Sequence, residues 1–253
     1  MSTLIIQINK GGLGDHLFFS HLPRIAKQTG KFTKVLFSKK SFCRHPHTMQ
    51  LVWESNTWLD GFTEDSGMYF FPAEIALGTN LLDAIMLGYG LDDGQRFHEP
   101  EIYYKPKVIE SLNEAIIYDP NYISYTGNLT SGKNIQQWFT ESNIHVDFQM
   151  KSLGGRYLSI SNVHQELATA DLFELCNVLV SCKRMYCLTT GTATLAAALG
   201  KSVTVFYGTG HDPLYRHSKL HSYQHVGTDF KLKDYLLFYA TKLLQIFIPV
   251  GKR

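Results

Sequence analysis

The chain has 253 residues, enough for one large domain or two smaller ones. Hydrophobic residues make up 44% and charged residues 18%, a globular composition that excludes disorder, collagen and coiled coil for the chain as a whole. Lys and Arg number 24 against 22 Asp and Glu, a net charge of +2, so no strong nucleic-acid field is expected.

The first elements read as one unit. Leu4-Ile5-Ile6-Gln7-Ile8 is a short β-rich apolar run, and a glycine turn follows it, Lys10-Gly11-Gly12-Leu13-Gly14-Asp15. Leu17, Phe18, Leu22, Ile25 and Ala26 then recur at helical spacing, and Lys34-Val35-Leu36-Phe37-Ser38 predicts a second strand. Strand, helix, strand is a βαβ unit, which implies a parallel sheet with a right-handed crossover. The stretch from Ser41 to Pro106 is less regular. It holds the apolar Leu51-Val52-Trp53, a helix candidate from Leu81 to Leu87 and a polar turn at Leu91-Asp92-Asp93-Gly94. Pro100 and Pro106 bracket an extended Glu101-Ile102-Tyr103-Tyr104, and a domain boundary is placed at roughly 100–113.

A second α/β run begins with the strand Ala115-Ile116-Ile117-Tyr118. A short helix candidate spans Asn134 to Thr140. A helix opens at Asp171-Leu172-Phe173-Glu174-Leu175, with Thr169 or Asp171 as N-cap. Arg184-Met185-Tyr186-Cys187-Leu188 predicts a strand, Thr189-Thr190-Gly191-Thr192 a turn, and Ala193 to Leu199 a helix stopped by Gly200. Ser202 to Tyr207 is the next strand, and an amphipathic segment runs from Tyr235 to Ile248. It is read as a helix docking on the first domain, with an interfacial membrane helix as the alternative. Cys176, Cys182 and Cys187 sit in apolar sequence and are expected as buried thiols; with Cys43 the four are too few for a disulfide scaffold. No apolar run reaches the roughly 20 residues of a membrane span and no signal-peptide pattern opens the chain, so a cytoplasmic, soluble protein is expected.

Open α/β sheets bind ligands beyond the carboxyl ends of their strands, where helix N-termini favour phosphate. Two turns qualify: Gly11, Gly12 and Gly14 with Asp15, and Thr189, Thr190, Gly191 and Thr192. Asp15 reads either as a first-turn helix acid or as a carboxylate aimed into a cleft to serve as general base. Lys133 follows the first strand of the second half and could neutralise a diphosphate, although a solvated lysine is the default. Gly208, His211 and Asp212 lie in a loop after the last core strand and read as a binding loop. No D-x-D triplet, G-x-S-x-G elbow or H-E-x-x-H occurs, which argues against metal-dependent nucleotide-sugar transferases and the common hydrolases. A dinucleotide fingerprint starting at Gly12 would need glycine at position 17, where Leu17 stands; Lys39 and Lys40 keep an NADP enzyme as a third reading.

The run Ile8-Asn9-Lys10-Gly11-Gly12-Leu13-Gly14-Asp15-His16-Leu17 resembles the N-terminal signature of the ADP-heptose:lipopolysaccharide heptosyltransferase family, glycosyltransferase family 9. Residues 187–201, with Thr189-Thr190-Gly191-Thr192 at their centre, are similar to that family's donor-binding segment, and Phe206-Tyr207-Gly208-Thr209-Gly210-His211-Asp212-Pro213 to its following loop. The resemblance implies a GT-B-like fold: two Rossmann-like parallel-sheet domains facing across a cleft. Residues 1–110 would take the acceptor and residues 111–253 the nucleotide-sugar. It implies an inverting, metal-independent glycosyltransferase with Asp15 as base, no cofactor, and an ADP-heptose-like co-substrate. The acceptor would be a glycan or lipid-linked glycan of a bacterial surface, with peripheral contact at the inner membrane face. Lys133, with Trp138 beyond it, is loosely similar to the family's phosphate-binding lysine. The family usually carries Asp where Thr189 stands and His where Thr194 stands. These departures motivate the alternative of a non-catalytic nucleotide-sugar-binding protein.

Overall fold

A computed structural model describes residues 2–123 and 126–228. The segment 235–248 lies outside the described residues. The first sheet is parallel, in the order β1 (Thr3–Ile6), β2 (Lys34–Ser38), β3 (Phe62–Thr63), and residue Met68 forms a parallel bridge to Ile6 on its other edge. Between β1 and β2 the single expected helix is two, α1 (Leu13–Leu17) and α2 (Leu22–Gln28). Pro23 explains the break: it lacks an N–H and its ring opposes the carbonyl four residues back, so it can only open a new helix. Leu51-Val52-Trp53 lies in a π-helical turn, Gln50–Glu54, that continues α3 (Pro46–Met49). Next comes α4 (Leu81–Gly88), capped by the Asn80 side chain accepting from the Asp83 N–H.

The second sheet has six strands. They are β4 (Ile116–Asp119), β6 (Phe148–Met150), β8 (Glu166–Leu167), β9 (Arg184–Leu188), β10 (Thr204–Tyr207) and β11 (Ser222–His225). Their order is β11-β10-β9-β4-β6-β8, every pair parallel. A small antiparallel ribbon joins β5 (Asn121–Tyr122) to β7 (Arg156–Tyr157). The helices are α5 (Lys133–Glu141), α6 (Leu172–Ser181) and α7 (Gly191–Ala198). Asp171, rather than Thr169, caps α6, accepting from the Glu174 N–H at 2.8 Å. Gly200 ends the α7 turn in the left-handed region at φ 68°, as its sequence position requires. Segment 101–104 joins no strand; Ile102 and Tyr104 pack on the core instead.

Both faces of the second sheet are covered, so successive strand residues serve two layers. Ile117, Cys187 and Val205 face one side and join Leu179 and Leu195. Tyr118, Tyr186 and Phe206 face the other and meet Ile135 and Phe139 of α5. The first of these layers is continuous with the core of the first sheet, including Ile6, Leu17, Phe37, Trp53 and Ile85. The two halves therefore share one hydrophobic core. All four cysteines are free, with Cys176, Cys182 and Cys187 buried.

Histidines fill unusual interior positions. His16 is buried; its Nε2–H donates to the Phe42 carbonyl at 3.0 Å and its Nδ1 accepts from Trp53 Nε1–H at 2.8 Å. His98 bridges Asp83 at 2.6 Å and Asp93 at 3.2 Å, and the Asp83 bond holds its pKa above the ordinary value. Among the described residues His21 and His217 have no carboxylate partner; each meets a backbone carbonyl, Leu82 at 3.2 Å and Tyr215 at 3.3 Å. Burial lowers each to about 3, so both are neutral in the folded chain. A histidine whose folded pKa is depressed stabilises the fold above its unfolded pKa of about 6.5, and that stabilisation is lost as pH falls toward the folded value. Lowering pH from 7 to 5 should therefore cost about 2 kcal/mol at each of these two residues. The melting temperature should fall by roughly 10 °C in differential scanning calorimetry. A loss on acidification no smaller in His21→Asn than in the wild type would mean that His21 is not buried neutral.

Candidate active site where two glycine turns meet

The carboxyl ends of β4, β9 and β10 lie along one edge of the second sheet, and their loops carry most of the residues singled out in the sequence. Leu188 of β9 pairs with Phe206 of β10, so Thr189 and Tyr207 are the next neighbours along that edge. Helix α7 starts there, and helix α1 of the other half packs against it. The contact is made by glycine. A Cβ on Gly14 would lie 3.3 Å from Thr194 Oγ1 and 3.5 Å from Gly191 Cα; one on Gly191 would lie 3.2 Å from Leu13 Cβ. The two glycine turns are thus pressed together N-terminus to N-terminus.

The other glycines of the first turn answer local demands. Gly11 passes under Phe42, whose ring would be 2.8 Å from an added Cβ. Gly12 donates its N–H to Asp15 Oδ2 at 3.0 Å. Asp15 is half-buried, and among the described residues its Oδ1 takes no hydrogen bond. The carboxylate is therefore both the first-turn acid of α1 and a group with one oxygen left over.

The second turn divides its hydroxyls. Thr192 Oγ1 donates to Asp119 Oδ2 at 2.7 Å. Asp119 also accepts from the N–H and Nδ2 of Asn121, at 3.0 and 2.8 Å. Burial raises the Asp119 carboxyl pKa, and these hydrogen bonds oppose the rise. Thr192 is thus committed to holding the turn onto β4. The hydroxyls of Thr189 and Thr190, by contrast, are buried and have no partner among the described residues, and the same holds for Thr126 Oγ1 and His211 Nδ1. Thr189 is 9% exposed, His211 7% and Thr126 1%, so water reaches none of these groups freely. Burial, helped by nearby Arg216, lowers the His211 pKa to about 4, leaving a neutral imidazole between the rings of Tyr207 and Tyr215.

The remaining expected residues fall differently. Gly208 is a packing glycine, its added Cβ 2.8 Å from Leu129. It faces Gly127, where φ is 90° and a Cβ would come 2.4 Å from the Gly208 carbonyl. Asp212 is exposed and caps the turn Pro213–Tyr215 by accepting from the Leu214 N–H at 2.9 Å. Lys133 opens α5, exposed, above a surface depression of about 400 Å³ lined by Thr130, Ser131, Gln136, Tyr157 and Ser159. That depression includes none of Asp15 or residues 189–192. Asp119, Thr126 and Tyr69 are additions to the expected set. Asp119 had a signal, a carboxylate at the carboxyl end of a predicted strand; Thr126 and Tyr69 had none.

Neither a protein-family model nor a curated protein matches the chain. Solved structures do. A family 9 glycosyltransferase from Veillonella parvula superposes with a TM-score of 0.58 at 8% identity, over 95% of this chain and 89% of that one. The E. coli ADP-heptose lipopolysaccharide heptosyltransferase II gives 0.57 at 12%, over 98% and 100%. TibC of enterotoxigenic E. coli, an iron-containing dodecameric heptosyltransferase solved with ADP-D-β-D-heptose, gives 0.58 at 12%. It is covered over 88% of this chain, which spans 62% of TibC's length. At these identities the likeness establishes the fold, a GT-B-like arrangement of parallel α/β sheets, as the sequence resemblance implied.

Thr192→Val keeps the shape of the side chain and leaves Asp119 a buried acceptor short of a donor, which should cost about 1–3 kcal/mol. The melting temperature should drop by several degrees and Thr192→Ser should restore most of it. An unchanged Thr192→Val would show that the bond to Asp119 carries no weight.

Proposed function

We propose that the chain is an inverting glycosyltransferase that moves a sugar from a nucleotide diphosphate to an acceptor hydroxyl. One observation carries this. At the Gly14–Gly191 contact, Asp15, with one oxygen unbonded among the described residues, follows the glycine that touches an eight-residue helix; that helix is preceded by Thr189 and Thr190, whose buried hydroxyls lack partners among the described residues. Asp15 accepts the proton of the acceptor hydroxyl. The acceptor oxygen attacks the anomeric carbon in line, and the bond from that carbon to the phosphate oxygen breaks. The departing diphosphate takes up negative charge where the N–H groups of α7 and the hydroxyls of Thr189 and Thr190 can meet it. No D-x-D triplet occurs in the sequence, which supports a reaction without a bound metal. An ADP-linked heptose is the first donor to try, because ADP-heptose enzymes share the fold. The acceptor is proposed as a glycan, free or lipid-linked, at the cytoplasmic face of a bacterial membrane. Among the described residues no helix is long and apolar enough to cross one.

Asp15→Asn preserves an oxygen for the Gly12 N–H while removing the base. It should lower kcat by about 10²–10⁴-fold and leave donor Kd within about threefold, followed by release of nucleoside diphosphate and by calorimetric titration. Full turnover in Asp15→Asn would rule out the base. Donor binding by the wild type with no turnover in either protein would favour the non-catalytic binder suggested by Thr189 and Thr194.

A further inference from the structure

The two halves meet a second time, away from the glycine turns. The first half's side of this junction is built on the buried Asp83 carboxylate. It accepts from the N–H groups of Asn80, Phe97 and His98 at 3.1, 2.7 and 3.0 Å, and from His98 Nδ1–H at 2.6 Å. These bonds hold Phe97 at φ 63°, a left-handed conformation that a bulky residue adopts only under constraint. Asn80 and Glu99, on either side of this knot, grip residues 217–219 of the second half. Asn80 Nδ2 donates to the carbonyls of His98 and His217, both at 2.7 Å. Glu99 Oε1 accepts from Ser218 Oγ at 2.9 Å and from the Lys219 N–H at 3.2 Å. The Lys219 ammonium lies 3.1 Å from the centroid of the Phe97 ring.

The gripped segment leads to α7. Two residues beyond Lys219, His221 Nε2–H donates to the carbonyl of Ala193, in the first turn of α7, at 2.8 Å. Burial lowers the His221 pKa, so the ring is neutral and its one proton sits on the nitrogen facing that carbonyl. Phe18, just beyond α1, packs edge-on against His217 with ring centroids 5.1 Å apart. Helix α1 therefore meets α7 at Gly14 and Gly191 and meets the 217–221 segment at His217. That segment meets α7 at Ala193, which closes a triangle. A single glycine contact would leave α7 free to tilt about it; three contacts do not.

We propose that Asn80, Glu99 and His221 are positioning residues for the nucleotide: through the 217–221 strut, the first half fixes the direction in which α7 presents its first N–H groups. This rests on the donor site proposed above. Hydrogen bonds weaken steeply when donor and acceptor leave a common line, so a tilted α7 holds a diphosphate less tightly. The half that carries Asp15 thus also sets the affinity of the nucleotide held by the other half, without touching it.

The test uses the full chain and the nucleoside diphosphate, among ADP, GDP, UDP and CDP, that most raises its melting temperature. Its Kd is measured by calorimetric titration, well below the melting temperature of each variant. Asn80→Ser keeps a cap for α4 but loses the donor to His217, and His221→Leu loses the bond to Ala193. Each should raise Kd about tenfold. His221→Gln, which restores an N–H at about the same reach, should return Kd to within about threefold of wild type. Because the two bonds lie in series, the double variant Asn80→Ser/His221→Leu should bind within about threefold of either single variant. Losses of stability alone would leave Kd unmoved, and independent losses of affinity would multiply to about a hundredfold. Glu99→Ala, at a half-buried position, should weaken binding in the same way and takes the place of Asn80→Ser if that variant does not fold. Folded single variants with wild-type Kd, a multiplying double variant, or His221→Gln no tighter than His221→Leu would overturn the strut and leave the donor site standing. A wild type that binds none of the four nucleotides would overturn the donor site and the strut together. Binding without turnover of any sugar donor would overturn the transferase alone, since the strut is read from Kd.

Discussion

The van der Waals contact between Gly14 and Gly191 sets the distance between the two halves of the molecule. A side chain at either position would press on backbone or on Leu13 and Thr194, and helices α1 and α7 would have to part. Because they do not, the core under the first sheet runs on into the second, and Gly14, the residue before Asp15, touches the first turn of α7. The geometry proposed for transfer follows from that contact: a base on one half, and free backbone N–H groups on the other. A looser junction would still fold two sheets but would not bring these groups to one place.

Around this contact the polar groups sort into those already satisfied and those left open. Thr192 bonds Asp119, Asp212 caps its own turn, and Gly208 and Gly127 pack against each other. These hold the loops in shape. Thr189, Thr190, Thr126, His211 and Tyr69 keep buried atoms without partners among the described residues, and such atoms are uncommon in a folded interior. They are half of the ten such atoms among the described residues; the others are on His21, Thr48, Glu99, His217 and His221. Lys133 is exposed and lines a depression that includes neither Asp15 nor residues 189–192.

Much of the fold was legible because its signals are local. β2 and β9 fall on their predicted residues, and Asp171 and Gly200 mark helix ends by their own chemistry. The break between α1 and α2 could have been read from Pro23. Strands β6, β8 and β11 carry too few apolar residues to announce themselves and exist by pairing across the sheet. The site was half legible. Glycines next to Asp15 and Thr190 are visible in one dimension. That Gly14 serves Gly191, that Thr192 serves Asp119, and that Tyr69 stacks on Phe19 from a segment without a motif are long-range facts of packing.

The most direct test of the central claim, that the Gly14–Gly191 junction is a nucleotide-sugar site, is a thermal-shift panel of ADP, GDP, UDP and CDP with their sugars and NADPH, run on wild type and on Gly191→Val. A ligand at 100 times its Kd adds about 2.7 kcal/mol of stability. One nucleotide diphosphate should raise the wild-type melting temperature by several degrees, and Gly191→Val should remain folded but lose the shift. Silence from every nucleotide diphosphate, a response to NADPH alone, or an undiminished shift in folded Gly191→Val would contradict the assignment.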